Sequence, residues 1–95
     1  MPATEKLPKT HVFNGRKYKL KWCKPRNAYG ICHPPDDPYE SRRICVDPKL
    51  PREDFVETLI HEALHAEQWY LDEDTVERIA KNLTSLLRRC NALAA

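Results

Sequence analysis

Residues 50–70 read LPREDFVETLIHEALHAEQWY, and this stretch decides the fold because the period of its apolar residues differs from everything before it. Pro51, followed by Glu53 and Asp54, makes a helix start: proline presets φ in the first turn, and acids suit the positive end of the helix dipole. At about 100° per residue, Phe55, Val56, Leu59, Ile60, Ala63, Leu64, Ala66 and Tyr70 fall on one broad apolar arc. Asp54, Thr58, His61, Glu62 and His65 occupy the remaining sector. The spacing predicts an amphipathic helix over about 52–69.

Downstream, DEDTVERIAKNLTSLLRRC (residues 72–90) repeats the helical period, with Val76, Ile79, Ala80, Leu83, Leu86, Leu87 and Cys90 in one stripe. Asp74 with Glu77 has capping-box spacing, Asp72 is a competing cap, and Arg88 and Arg89 suit the negative end of the dipole. So short a connection predicts a helical hairpin with a second helix over about 73–90. Upstream the period is two. In KYKLKWC (17–23), Tyr18, Leu20 and Trp22 alternate with Lys17, Lys19 and Lys21, one buried face and one wet face. Asn14-Gly15 before it is a hairpin turn signal. AYGICHPP (28–35) and SRRICVDP (41–48) read as short strands, the latter with Ile44 and Val46 on one face, while the prolines of HPPDDPYES (33–41) interrupt both helix and ladder. Strands followed by helices make the class α+β: a small antiparallel sheet from about residues 11–47 packed on two helices. Residues 1–10 read as a loose tail, and residues 11–95 as a single minimal domain.

A chain of 95 residues has a modest core, and its 41% hydrophobic and 32% charged residues are globular rather than disordered composition. No apolar run approaches the ~18 residues of a membrane span, and MPATEKLPKT lacks the apolar centre of a secretory signal. The expected location is therefore cytoplasmic, with no membrane partner. Cys23, Cys32, Cys45 and Cys90 form no C-x-x-C pair and read as reduced, packed thiols, with a Cys23–Cys32 disulfide as the rival. The net charge of +2 hides a pattern: ten Lys/Arg against four acids in residues 1–43, two against ten in 44–77, four against none in 78–95. The acidic block surrounds the histidines, which suits attraction of a cation, although solvated helix faces are often acidic.

His61 and His65, four apart, share a helix face and can offer imidazole nitrogens to one ion. Glu62 is rotated aside, placed to accept a proton from water beside that ion. The bland alternative is two solvated histidines on a charged face. Helix placement and the apolar Ala63 and Leu64 between the ligands favour the metal site, and the pattern predicts Zn²⁺ with Glu62 as general base.

TLIHEALHAEQW (58–69) followed by DEDTVERIAKNLTSLL (72–87) resembles the gluzincin branch of zinc metallopeptidases. The likeness is greatest to very small phage- and prophage-associated members, on a basic hairpin, YGICHPPD (29–36) and RRICVDP (42–48), and covers roughly residues 11–90. ERIAKNL (77–83) is also similar to the glutamate helix of ImmA/IrrE-type peptidases. The resemblance implies a peptide-hydrolysing zinc enzyme whose third ligand is a glutamate on the second helix, at a much shorter interval than in larger gluzincins. Glu73 and Glu77 compete for that position. Counting rise at 1.5 Å per residue from a helix end near Trp69, an ion between the histidines lies about 9 Å deep, level with Glu77. The expected metal set is therefore His61, His65 and Glu77, with Glu73 at the mouth.

The other polar residues read more plainly. His33 beside two prolines is a loop residue, and His11 is solvated. Trp22 and Trp69 are core or rim aromatics. Tyr70 follows the core arc and reads as packing, whereas Tyr39 is open between packing and donating to an oxyanion. The polypeptide substrate is expected to pair with an exposed strand edge, for which the strand at Ile44–Val46 is the choice. The rival function is a nucleic-acid-associated protein with a structural or vestigial zinc site. Its support is a basic N-terminal hairpin: eight Lys/Arg and one acid in residues 1–26, with Tyr18 and Trp22 interleaved.

Overall fold

The computed structural model describes residues 6–34 and 42–93. Four strands, β1 (Thr10–Phe13), β2 (Arg16–Lys21), β3 (Gly30–Cys32) and β4 (Arg43–Val46), precede two helices, α1 (Arg52–Glu67) and α2 (Glu73–Arg89). The architecture is α+β, as the change of period predicts.

Asn14 and Gly15 both have positive φ, 49° and 75°, the conformation of a two-residue hairpin turn, and they pair β1 with β2 antiparallel. The predicted alternation holds in β2, where Tyr18 and Leu20 are buried and Lys17 and Lys21 are exposed. Strand order is β1-β2-β4-β3. β2 and β4 run parallel, so the sheet is mixed, with antiparallel pairs at both ends. This order corrects the choice of edge. β4, with Ile44 and Val46 almost fully buried, lies inside the sheet, and β3 is the outer strand.

The core is Tyr18, Leu20, Ile44 and Val46 from the sheet against Leu50, Phe55 and Ala66, with Trp22 packed at its margin beside the Phe55 ring. The chain before residue 11 takes part: Leu7 packs on this core, and the carbonyl of Pro8 accepts a hydrogen bond from Trp22 Nε1 at 2.9 Å. Residues 1–5 lie outside the described residues, as does Tyr39.

α1 is the middle layer. It touches β1, β3 and β4 on one side and α2 on the other, and α2 packs chiefly on α1. Phe55 N–H bonds the Pro51 carbonyl to close the first turn. α2 is capped by Asp72, not Asp74: the Thr75 hydroxyl donates to Asp72 Oδ1 at 2.6 Å and Thr75 N–H to Oδ2 at 3.0 Å, and these bonds hold the Asp72 carboxyl below its usual range. An ion pair of 2.7 Å between Arg88 and Glu53 joins the far ends of the hairpin. Because α2 has a single neighbouring layer, its buried residues are Val76, Ala80 and Thr84 alone. Leu83, Leu86 and Cys90, which the apolar stripe placed inside, are exposed. Tyr70 is likewise 92% exposed, because α1 ends at Glu67 and the arc cannot be extrapolated past it. Among the described residues no helix is long and apolar enough to cross a membrane.

Candidate metal centre

His61 and His65 project from one face of α1 with their rings 4.9 Å apart and inclined at 67°. The carboxylate of Glu73, in the first turn of α2, spans both. Its Oε1 is 2.6 Å from His61 Nε2 and its Oε2 is 3.1 Å from His65 Nε2. One donor atom from each of the three residues lies within 4.8 Å of the other two, and this His-His-Glu group can hold a metal ion. Donors of a tetrahedral ion at about 2.0–2.1 Å stand roughly 3.4 Å apart, so the fit requires side-chain adjustment only. Both histidines are mostly buried, whereas Glu73 is more exposed and leaves one flank open to solvent.

Glu77, the expected third ligand, is not in this group. Its carboxylate pairs with Lys81 at 2.8 Å, and that hydrogen bond lowers its pKa. The rise count assumed that α2 starts level with Trp69 and runs back in step with α1. Instead α1 ends at Glu67, the chain turns at once with Leu71 N–H bonded to the Gln68 carbonyl, and the first turn of α2 already reaches the histidines. Glu77 falls one turn further on, beside Glu57 and Thr58. Glu73, rather than Glu77, joins the two histidines in the group that can hold an ion.

Glu62 occupies the position that its rotation along the helix predicts, but it is far less wet than its sector suggests, at 8% exposure. The cover is β3. A Cβ placed on Gly30 would stand 2.6 Å from Thr58 Cγ2, 3.0 Å from Glu62 Cγ and 3.2 Å from Glu62 Oε2. Glycine at 30 is what allows strand and helix to approach closely over the glutamate. Burial first, and then the negative charge of Glu73, push the Glu62 pKa up to about 7, with His61 opposing. Burial also lowers the pKa of His65, against the pull of Glu73, which favours the neutral imidazole that a metal requires. Cys32, on the same floor, is pushed up to about 12 by burial and by Glu62.

Strand periodicity gives Gly30 no role beyond its place in a short β-prone run. The available signal was a glycine inside a β-prone run, which marks close approach of another element. Trp69 is a rim aromatic as expected: half-buried, it lines the cleft with Leu71, 6.1 Å from the His65 ring. His33 follows β3 and is outside the cluster. All four cysteines are free, and the cysteine that raises the pKa of Cys45, after burial, is Cys23 rather than Cys32.

The arrangement presents three donors, an open fourth direction and a buried carboxylate beside them, which can bind a cation and move a proton next to it. Comparison with family models, with curated proteins and with solved structures found no match to this chain.

Proposed function

We propose that this protein is a zinc-dependent peptidase that hydrolyses peptide bonds with Glu62 as general base and His61, His65 and Glu73 as metal ligands. The observation that carries the reading is the convergence of two imidazoles and the Glu73 carboxylate beside a buried carboxylate at an open cleft. Two histidines and one glutamate are a donor set of catalytic zinc, which keeps one position free of protein ligands.

Zinc, when bound, supplies the Lewis acidity that lets water act as a nucleophile near neutral pH. The protein contributes the rest. Glu62, on the adjacent turn position, takes the proton of the attacking water and returns it to the departing amine. The substrate has a seat at β3. Asp47 N–H bonds the Tyr29 carbonyl and His33 N–H bonds the Arg43 carbonyl, so the odd-numbered residues of β3 face β4. The backbone groups of Gly30 and Cys32 point to the open edge, where an extended peptide adds as a further strand. The two edge residues lie in the lining of the same cleft as His61 and Glu62.

The test is a zinc determination combined with digestion of a peptide library. About one zinc per chain and cleavage that falls by a factor on the order of 10² or more in Glu62→Gln, with zinc retained, are expected. Undiminished turnover in that variant rejects the assignment of the base.

A nucleic-acid-associated role is the second reading, favoured by one observation. Lys17, Lys19, Lys21 and Arg43 share the sheet face opposite to that of Tyr18, Leu20 and Ile44. Salt-dependent retention on DNA by a protein that cleaves no peptide would support it.

A further inference from the structure

The cleft has two chemically different halves, meeting at Gly30, His61 and Glu62, which border both. One half, about 250 Å³, is completed by Tyr29, Thr58, Glu57 and Glu77. The other, about 480 Å³, is completed chiefly by Cys32, Trp69 and Leu71 together with the ligands His65 and Glu73. Carboxylates dominate the first, and the second offers an indole face and a leucine.

The charge of the first half is only partly answered within the protein. Lys81 is held by Glu77 at 2.8 Å and is also within electrostatic reach of Glu57, so one exposed ammonium serves two carboxylates. A second observation points to a ligand. Glu62 is more than nine-tenths buried, has no hydrogen-bond partner among the described residues, and faces this cleft. Its carboxylate is not fully enclosed: it keeps an opening, and that opening is the cleft, from which a donor can come.

Direction follows from the chain through β3, which passes from Tyr29 on the acidic half, through Gly30 shared by both, to Cys32 on the apolar half. A peptide paired antiparallel to its open edge runs the other way, and antiparallel pairing is the more stable of the two. Its N-terminal portion then lies over Trp69 and Leu71, and its C-terminal portion over Glu57 and Glu77.

We propose that the cleft selects peptides carrying an apolar side chain N-terminal to the cleaved bond, seated against Trp69 and Leu71, and a lysine or arginine C-terminal to it, seated between Glu57 and Glu77. The selection rests on the peptidase reading and deepens it by naming the substrate class.

The test is fluorescence anisotropy of labelled octapeptides on zinc-supplemented Glu62→Gln protein, with three central pairs: Leu-Lys, Leu-Glu and the reversed Lys-Leu. Leu-Lys is expected to bind about tenfold more tightly than Leu-Glu, the scale of exposed ion pairs exchanged for like-charge contacts. The advantage should shrink as salt is raised. Adding Glu57→Gln and Glu77→Gln should bring the ratio to within about twofold, and adding Lys81→Gln instead should widen it, a gain that misfolding cannot produce. A ratio near one in the parent, a ratio unmoved by the paired glutamine substitutions, or preference for Lys-Leu overturns the proposal. Library digestion by the wild-type protein separates the two levels of failure. Cleavage without this preference removes the selection and leaves the peptidase; neither binding nor cleavage removes both.

Discussion

Replacing Glu73 or Glu77 by alanine separates the two candidate third ligands. Glu73 places one carboxylate oxygen 2.6 Å from His61 Nε2 and the other 3.1 Å from His65 Nε2, whereas the carboxylate of Glu77 is engaged by Lys81. Small protein sites hold zinc with about 10–16 kcal/mol from four ligands, so one ligand represents roughly 2.5–4 kcal/mol. At about 1.4 kcal/mol per decade, Glu73→Ala should weaken zinc binding by a factor on the order of 10²–10³. Glu77→Ala removes only an exposed i,i+4 pair with Lys81 and should change zinc affinity by less than about fivefold. Competition against a chromogenic chelator at neutral pH measures both, with circular dichroism as the check that α2 still forms. Glu73→Gln keeps the shape and the helix start while weakening the ligand, and should fall in the same class as Glu73→Ala. A site emptied by Glu77→Ala but filled in Glu73→Ala would refute the geometry.

Three further outcomes follow from burial and space. Gly30→Ala puts a methyl 2.6 Å from Thr58 Cγ2, so β3 must lift from α1; urea unfolding should show a loss of about 1–3 kcal/mol, and turnover should fall with it, whereas unchanged values would mean that β3 is not held there. Timed alkylation followed by mass spectrometry at about pH 8 should label the exposed Cys23 and Cys90 early and Cys32 last, because a thiol whose pKa is about 12 is almost wholly protonated there. In the metal-free protein, folding raises the Glu62 pKa to about 7, so the native state keeps a proton that the unfolded chain has already released. Wild type should therefore lose stability relative to Glu62→Gln as pH rises from about 5 through 7, and a difference that is flat or of opposite sign in urea titrations would contradict the burial.

The helices were legible because an amphipathic period and a run of acids at each start are local signals. So was the pairing of His61, His65 and Glu62, since positions i, i+1 and i+4 of a helix fix their own geometry. Whatever depended on how elements meet was not legible. Strand alternation identified Tyr18, Leu20, Ile44 and Val46 as inward, yet periodicity is blind to which strand lies beside which. One topological fact, β4 inserted next to β2 with β3 outside it, moved the free edge from Ile44–Val46 to Gly30–Cys32. The same fact set Cys45, rather than Cys32, beside Cys23. In α2 the stripe was real but too wide: one neighbouring layer buries Val76, Ala80 and Thr84, and the Thr84 hydroxyl is satisfied by the Ala80 carbonyl at 2.7 Å. Which glutamate of α2 lies beside the histidines was not legible for a similar reason, since it depends on how the connector at 68–72 turns.

Metal binding and proton transfer, the two tasks proposed for the site, lean on different parts of the fold. Metal binding needs the α1–α2 hairpin, whose ligands His61 and Glu73 are 12 residues apart and meet through a short connector. The state of Glu62 needs β3, brought from more than 30 residues away and held over the helix by the absence of a side chain at Gly30. A change that lifts β3 would re-wet Glu62 and move its pKa back toward the ordinary carboxylate range while leaving the donor triad in place. A change in the first turn of α2 would do the reverse. Because α1 is the layer shared by both, its histidine sector faces two partners, and this explains why a helix face of such polar composition is covered rather than solvated. The cost of burying a carboxylate there is borne by a small core. That expense is intelligible if a cation and a substrate complete the site, and has no evident return in a protein that binds neither.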